Sequence, residues 1–528
     1  MMQRHKPLRA LRWVYALVGI MTLIALQRAS AVTNTNVNAS DLYREPLRPQ
    51  VHFSPPAKWM NDPNGLVYLD GEYHLFYQHH PYSNKWGPMH WGHAVSRDLL
   101  HWANLPIALY PDRHGAIFSG SAVFDRDNTS GLGSAAHPPL VAIFAYHDHA
   151  IEKQGGIRVE SQGIAYSLDK GRTWTKYAGN PVLKNPGLRD FRDPKVFWMS
   201  SIHEWIMTIA VKDHVSFYSS KDLRHWIHES DFGQGIGQHG GVWECPDLFE
   251  MKVDGEVASR YVLLVSLNPG APNGGSGTQY FIGNFDGQRF QSDSQGANWL
   301  DWGTDNYAGV TWSGVPASRI LWLGWMSNWN YAQELPTVQW RNAMTLPREL
   351  KLVRTGAGLE LLADPVRELN GLRKTSTPIS AGGVEHTKAL VNAAHFSAPF
   401  ELVLDLKLND ANVVALVFKN AQQEATVFRI NRAEHRYELD RAKSGLTDFN
   451  ASFSKLQTAP MPDTDRLKLH VFVDRSSLEI FINDGQSVFS DLVFPHVPYN
   501  SVDLQTDRNI EVVGGTVYGL GSIWEGTP

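Results

Sequence analysis

Three carboxylates of this 528-residue chain sit beside prolines, in surroundings suited to acid–base chemistry. Asp62 lies in Trp59-Met60-Asn61-Asp62-Pro63-Asn64-Gly65, Asp193 in Phe191-Arg192-Asp193-Pro194, and Glu244 in Trp243-Glu244-Cys245-Pro246-Asp247. Pro63 holds its own φ and steers Asp62 away from helix, and Asn64-Gly65 is a strong turn signal, so a turn is expected at Asp62. Taken singly, each acid reads as part of a structural turn. Gathered into one small space, they would raise one another's pKa values, an expense in folding that asks for a function. A retaining glycosidase needs such an arrangement, with one ionised nucleophile and one protonated general acid.

The elements around these acids read as β structure. Leu66-Val67-Tyr68 and Tyr73 to Tyr77 form an alternating, aromatic-rich hairpin with Asp70-Gly71 at its tip. Few stretches have helical period, and short runs separated by Gly, Pro, Asn and Asp make the chain all-β. A weak repeat runs through the first two thirds. Ser96 to Trp102 resembles Ser220 to Trp226, Ser167 to Trp174 is one residue longer, and Asn284 to Phe290 is a degraded copy. Spacings of roughly 50 to 70 residues suit one propeller blade apiece. Between these turns, strands begin with unusual polar residues at Asp62, Ser119, Asp193, Glu244 and Tyr307, so five blades are expected, with those positions converging at one end of a central channel.

The texture changes after Glu349. The propeller is expected over 48–358 and a linker with a short helix over 359–380. A β-sandwich is expected over 381–528, from evenly spaced strands such as Phe400–Leu406, Ala415–Phe418, Leu467–Val473 and Leu478–Ile482. The N-terminus reads as a signal peptide over 1–31. Its basic start (Arg4, Lys6, Arg9, Arg12) precedes the apolar Trp13–Leu26, and Ala29-Ser30-Ala31 offers a cleavage site. A secreted, extracellular protein without stable membrane association after cleavage is expected. Cys245 is the sole cysteine, so stability must come from packing rather than an intrachain disulfide. A net charge of -5, with no strong basic block beyond the N-terminus, argues against a nucleic-acid partner.

The three acidic motifs, in this order, resemble glycoside hydrolase family 32, the invertases, inulinases and levanases. The likeness extends through Phe118-Ser119-Gly120-Ser121 and Val471 to Gly485. The wording at Gln78 to Pro81, Trp86 to His93 and Gly324 to Trp329 is most similar to levanases and related exo-fructosidases. That resemblance implies a five-bladed β-propeller followed by a C-terminal β-sandwich, in agreement with the blade count. It also implies sucrose and fructan substrates, with hydrolysis of terminal β-fructofuranosyl units. Asp62 would be the nucleophile at the anomeric C2, Glu244 the acid and then base, and Asp193, helped by Arg192, a stabiliser of the transition state. Asn61, Gln78, Trp86, Phe118 and Ser119 would contact the fructose, with Tyr307 and Trp325 as further candidates. Phe118 stands where some relatives carry Trp.

Other readings compete. A fructosyltransferase would share all three acids. A fructan-binding protein without catalysis would be expected to have lost one of them. Ser167 to Trp174 also fits a sialidase turn, but that chemistry needs an arginine cluster that cannot be assigned here. Neither cofactor nor metal is required for the glycosidase chemistry. His90-x-x-His93 and His147-Asp148-His149 have ligand types, yet along a strand such spacings do not converge, so no metal site is expected.

Overall fold

The computed structural model describes residues 42–316, 319–392 and 395–525. The leader expected at 1–31 lies outside them. Five antiparallel sheets come first, and each begins with an inner strand: Lys58–Leu69, Ala116–Phe124, Phe191–Met199, Val242–Lys252 and Tyr307–Thr311. Each inner strand packs against the next, and the last returns to the first. Ser313, beyond the fifth inner strand, accepts from Tyr68 N and donates its own N–H to Leu66 O, at 2.8 and 2.9 Å. This closes the ring that the blade count anticipates. Trp340–Arg341 pairs in parallel with Lys58–Trp59 and adds a second tie between last and first sheets.

Apolar faces stack between neighbouring sheets. Phe76 and Trp91 meet Phe144 and Ala165; Val141 and Ile143 meet Val196 and Met207; Phe217 meets Val265 and Phe281. All are buried. Each of the larger of these side chains contributes about 1.5–3 kcal/mol of burial, which replaces the cross-links this chain does not have.

The Ser-x-Asp repeat proves to be a structural device. In three sheets it turns the third strand into the fourth. Asp98 accepts from the N–H groups of Leu100 and His101, and Trp102 Nε1 donates to Leu99 O at 3.1 Å. Asp222 does the same for Arg224 and His225, with Trp226 Nε1 on Leu223 O. Asp169 takes Thr173 by both its N–H and its hydroxyl. In the fourth sheet, Asp286 keeps only the backbone contacts, to Gln288 and Arg289. A short side chain that satisfies turn N–H groups while a Trp clamps the apex explains why these residues recur without any catalytic part.

The linker expected over 359–380 requires correction. Gly358–Pro365 is a full strand on Arg348–Thr355 in the fifth sheet, and Arg373–Ile379 is an edge strand on Ile510–Leu520 in the C-terminal region. Only the 3-10 turn Arg367–Leu372 and its flanks connect them. Within 359–362 the two-residue period is hidden in the sequence by Leu362, on a strand whose second face is also partly covered. Beyond it, a seven-stranded and a six-stranded sheet face one another across Leu402, Leu404, Leu416, Phe428, Leu469 and Ile480.

Buried charges join this sandwich to the propeller. Arg348, from the fifth sheet, donates to Glu479 at 2.9 Å and lies 2.8 Å from Asp301. His52 lies between Asp474, at 2.8 Å, and Glu479, at 3.1 Å, with no side-chain exposure. Burial by itself would push the imidazole down, but the two carboxylates outweigh it and raise His52 from 6.5 to about 9. A raised folded-state pKa stabilises fully below the unfolded value, and that stability is lost as pH climbs through the folded one. The melting temperature is therefore expected to fall between pH 6.5 and 9, with a total on the order of 3 kcal/mol from this group. In His52→Gln the slope over that window should flatten. Thermal unfolding across the pH series measures it, and parallel curves for the two proteins would refute the assignment.

Candidate active site

Every inner strand breaks register at the same level. The irregularities fall between Met60 and Pro63, Ile117 and Gly120, Glu244 and Asp247, and Tyr307 and Val310; in the third sheet the break lies opposite Arg192 to Lys195. Asp193, Cys245 and Ala308 have φ of 63°, 47° and 55° there, in the left-handed region. A bulge turns one extra side chain out of the alternating pattern and aims it along the channel. The turn expected at Asp62 is thus a bulge inside a twelve-residue strand, and Pro63 still pairs with Tyr77. Gly65, at φ 56°, follows it; a Cβ there would come within 2.6 Å of Phe76 and 2.8 Å of Trp91, so no larger residue fits.

These bulges bring Asp62, Asp193 and Glu244 from three sheets into one pocket of about 260 Å³. Asp62 is held on both oxygens. Asn61 Nδ2 donates to Oδ1 at 2.9 Å and Ser119 Oγ to Oδ2 at 2.7 Å, while Trp59 Nε1 fixes the Asn61 amide at 2.7 Å. Glu244 is gripped from two sides as well. Arg192 donates to Oε1 through Nε at 3.1 Å and Nη2 at 2.9 Å, and the buried Tyr307 hydroxyl donates to Oε2. Asp193 accepts from Cys245 N at 3.1 Å. The Cys245 thiol lies between Asp62 and Asp193, at 3.6 and 3.7 Å.

Electrostatics follow from this crowding. Burial raises the Asp62 carboxyl, the Glu244 charge adds to it, and the Ser119 and Asn61 hydrogen bonds pull it back. Burial also raises Asp193, against the pull of Arg192 and with the push of Glu244 and Asp62. Burial and then the three acids push the Cys245 thiol far up, which keeps it protonated and a weak donor rather than a nucleophile.

Asn61, Gln78, Trp86, Phe118, Ser119 and Arg192 line the pocket with the three acids. Tyr307 does not; it acts from behind, through Glu244. Trp325 is fully buried and packs against Trp59, Tyr307 and Trp329, so it supports the wall without forming it. Trp329, four residues on, reaches the pocket instead. The strand Ile320–Met326 ends just after Trp325, and the chain turns outward. Sequence reasoning also missed His147, Glu152, Glu160 and Asp190 in the lining. Asp190 was legible in part, two residues before Arg192, whose Nη1 it accepts at 2.7 Å.

A larger cavity, about 670 Å³, opens where the inner strands end, beyond the buried Lys195–Asp247 pair at 3.1 Å. It holds none of the three clustered acids.

Among the described residues, His147 and His149 do converge, contrary to the expectation for ligands along one strand. The strand Leu140–His147 ends at His147, and Asp148 caps a short helix, His149–Lys153. The two histidines are therefore not on one strand, and with Glu152 they form a group whose donor atoms all lie within 4.8 Å of one another.

Residues 52–365 match the glycosyl hydrolases family 32 N-terminal domain, and 368–518 the family's C-terminal domain. The chain is 45% identical to a levanase of Bacillus subtilis over 97% of this chain and 76% of that protein. It is 39% identical to an extracellular exo-inulinase of Aspergillus ficuum, over 86% and 90%. The crystal structure of an exo-inulinase from Aspergillus awamori superposes with a TM-score of 0.83 at 35% identity, over 91% of this chain and all of that one.

Proposed function

Because the chain belongs to glycosyl hydrolase family 32, we propose that it releases terminal β-D-fructofuranosyl units from sucrose and from fructans such as levan and inulin, by retaining double displacement. One observation supports this above the others: Asp62 and Glu244 line a single pocket, each held by donors on both oxygens. Relatives named levanase, exo-inulinase and invertase supply the substrate class.

In the first step the Asp62 carboxylate attacks C2 and the C2–oxygen bond breaks. Glu244 gives its proton to the departing oxygen. The ring passes through oxocarbenium character, which the pocket's carboxylates stabilise, and a fructosyl ester forms on Asp62. In the second step Glu244 takes a proton from water, the water oxygen attacks C2, and Asp62 leaves. Asp193 orients fructose hydroxyls, and Arg192 and Tyr307 keep Glu244 aimed at the leaving oxygen. Asn61 and Ser119 fix the attacking oxygen of Asp62, so little reorientation remains when the sugar arrives. The basic and apolar N-terminal segment, with relatives named extracellular, supports secretion.

The test is product analysis on sucrose, levan and inulin. Free fructose as the first product from all three is the expected result. Oligosaccharides released from the polymers would overturn terminal attack, growth of oligofructose at high sucrose would point to transfer, and no cleavage at all would sink the reading.

A further inference from the structure

We propose that His147, His149 and Glu152 form a binding site for a zinc-like divalent transition metal in the pocket wall, and that its occupation inhibits the enzyme. Glu152 Oε2 lies 3.1 Å from His147 Nε2 and 3.2 Å from His149 Nδ1. Ligand atoms around a tetrahedral zinc, at bonds of roughly 2.0–2.1 Å, stand about 3.3 Å from one another. Small side-chain rotations separate the present group from a coordination shell. Two imidazoles and one carboxylate are also the donor set of open zinc sites that leave a fourth position for an exogenous ligand.

Three further observations point the same way. A metal-bound imidazole turns its other N–H toward a carboxylate, and His147 Nδ1 faces the buried Glu160 at 3.4 Å, a position in which it makes no hydrogen bond at present. His147 is held flat against Phe118, with centroids 4.2 Å apart and planes 10° apart. His149 sets its ring edge-on to Trp86 at 6.0 Å, and its Nε2 is buried without a partner. Both rings are thus oriented by the aromatic wall before any ion arrives.

Inhibition follows from the location. His147 and Glu152 line the same pocket as Asp62 and Glu244. A dication there opposes the positive charge that develops at C2, and it pulls on the rings that pack against Phe118 and Trp86. The metal site stands apart from the glycosidase reading, because binding can be measured without substrate.

The test is calorimetric titration of the full chain with ZnCl2, for wild type, His149→Ala and Glu152→Ala. One zinc per chain is expected, at least tenfold weaker in each variant, the two substitutions lying in the short, partly exposed helix His149–Lys153. Zinc should also lower kcat/KM on sucrose about tenfold in wild type, reversibly by EDTA, and less than about twofold in the variants. No binding up to about 1 mM zinc, near the limit of meaningful affinity, would overturn the proposal. So would equal zinc binding or equal zinc inhibition in all three proteins, since the ion would then act elsewhere, at the Cys245 thiol for example.

Discussion

Asp62→Ala is expected to lower kcat on sucrose by roughly 10⁵–10⁶, the scale seen when a covalent nucleophile is removed from an intact site. At about 1.4 kcal/mol per decade, this is roughly 7–8 kcal/mol of transition-state stabilisation. The fold should survive, because burial and the Glu244 charge already make the charged carboxylate unfavourable. Added azide gives a sharper readout than rate. With the carboxylate gone, the anion can enter from the Asp62 side and yield a fructosyl azide of inverted configuration. A variant that keeps more than a tenth of wild-type activity, with retained configuration, would remove Asp62 from the mechanism.

Glu244→Gln should separate the two half-reactions. On sucrose a loss of about 10³–10⁴ is expected, since the leaving oxygen departs without its proton. On an activated fructoside, whose leaving group needs no proton, the first step should be close to normal and the fructosyl ester should accumulate. Azide then has no need of a base and should restore turnover, with a product of retained configuration. The contrast in stereochemistry between the two variants is the decisive measurement. Equal losses in the rate of the first step on good and poor leaving groups would mean that Glu244 merely holds Arg192 and Tyr307 in place. Gln keeps the shape that both donors grip, so gross misfolding is not the expected cause of any loss.

Much of the site could be read from the chain because bulged inner strands leave a local mark. A strand that must expose one polar residue among apolar neighbours, and then recover its register, draws on Pro, Gly and small residues in the next few positions. Asp62-Pro63, Asp193-Pro194 and Glu244-Cys245-Pro246 carry that mark, and so did the count of five. Trp325 and Tyr307 were harder, since an aromatic beside a site and an aromatic behind it have the same sequence signature. The linker is hard to recognise for a related reason: Gly358–Pro365 pairs as a strand with alternating burial, but Leu362 interrupts the alternation in its sequence.

His147, His149 and Glu152 had no legible relation. Their meeting depends on where one strand stops and on Asp148 accepting from Ala150 and Ile151 to start a helical turn. Neither event is marked by hydrophobic period. The sequence by itself determined the all-β class, the five inner strands and the three acids, because each of these rests on backbone preferences acting within a few residues. Tertiary structure alone decided which aromatics line the pocket, which donors grip Glu244, and which histidines converge. Those are contacts between side chains up to hundreds of positions apart, and they are set by how closed sheets pack around a channel.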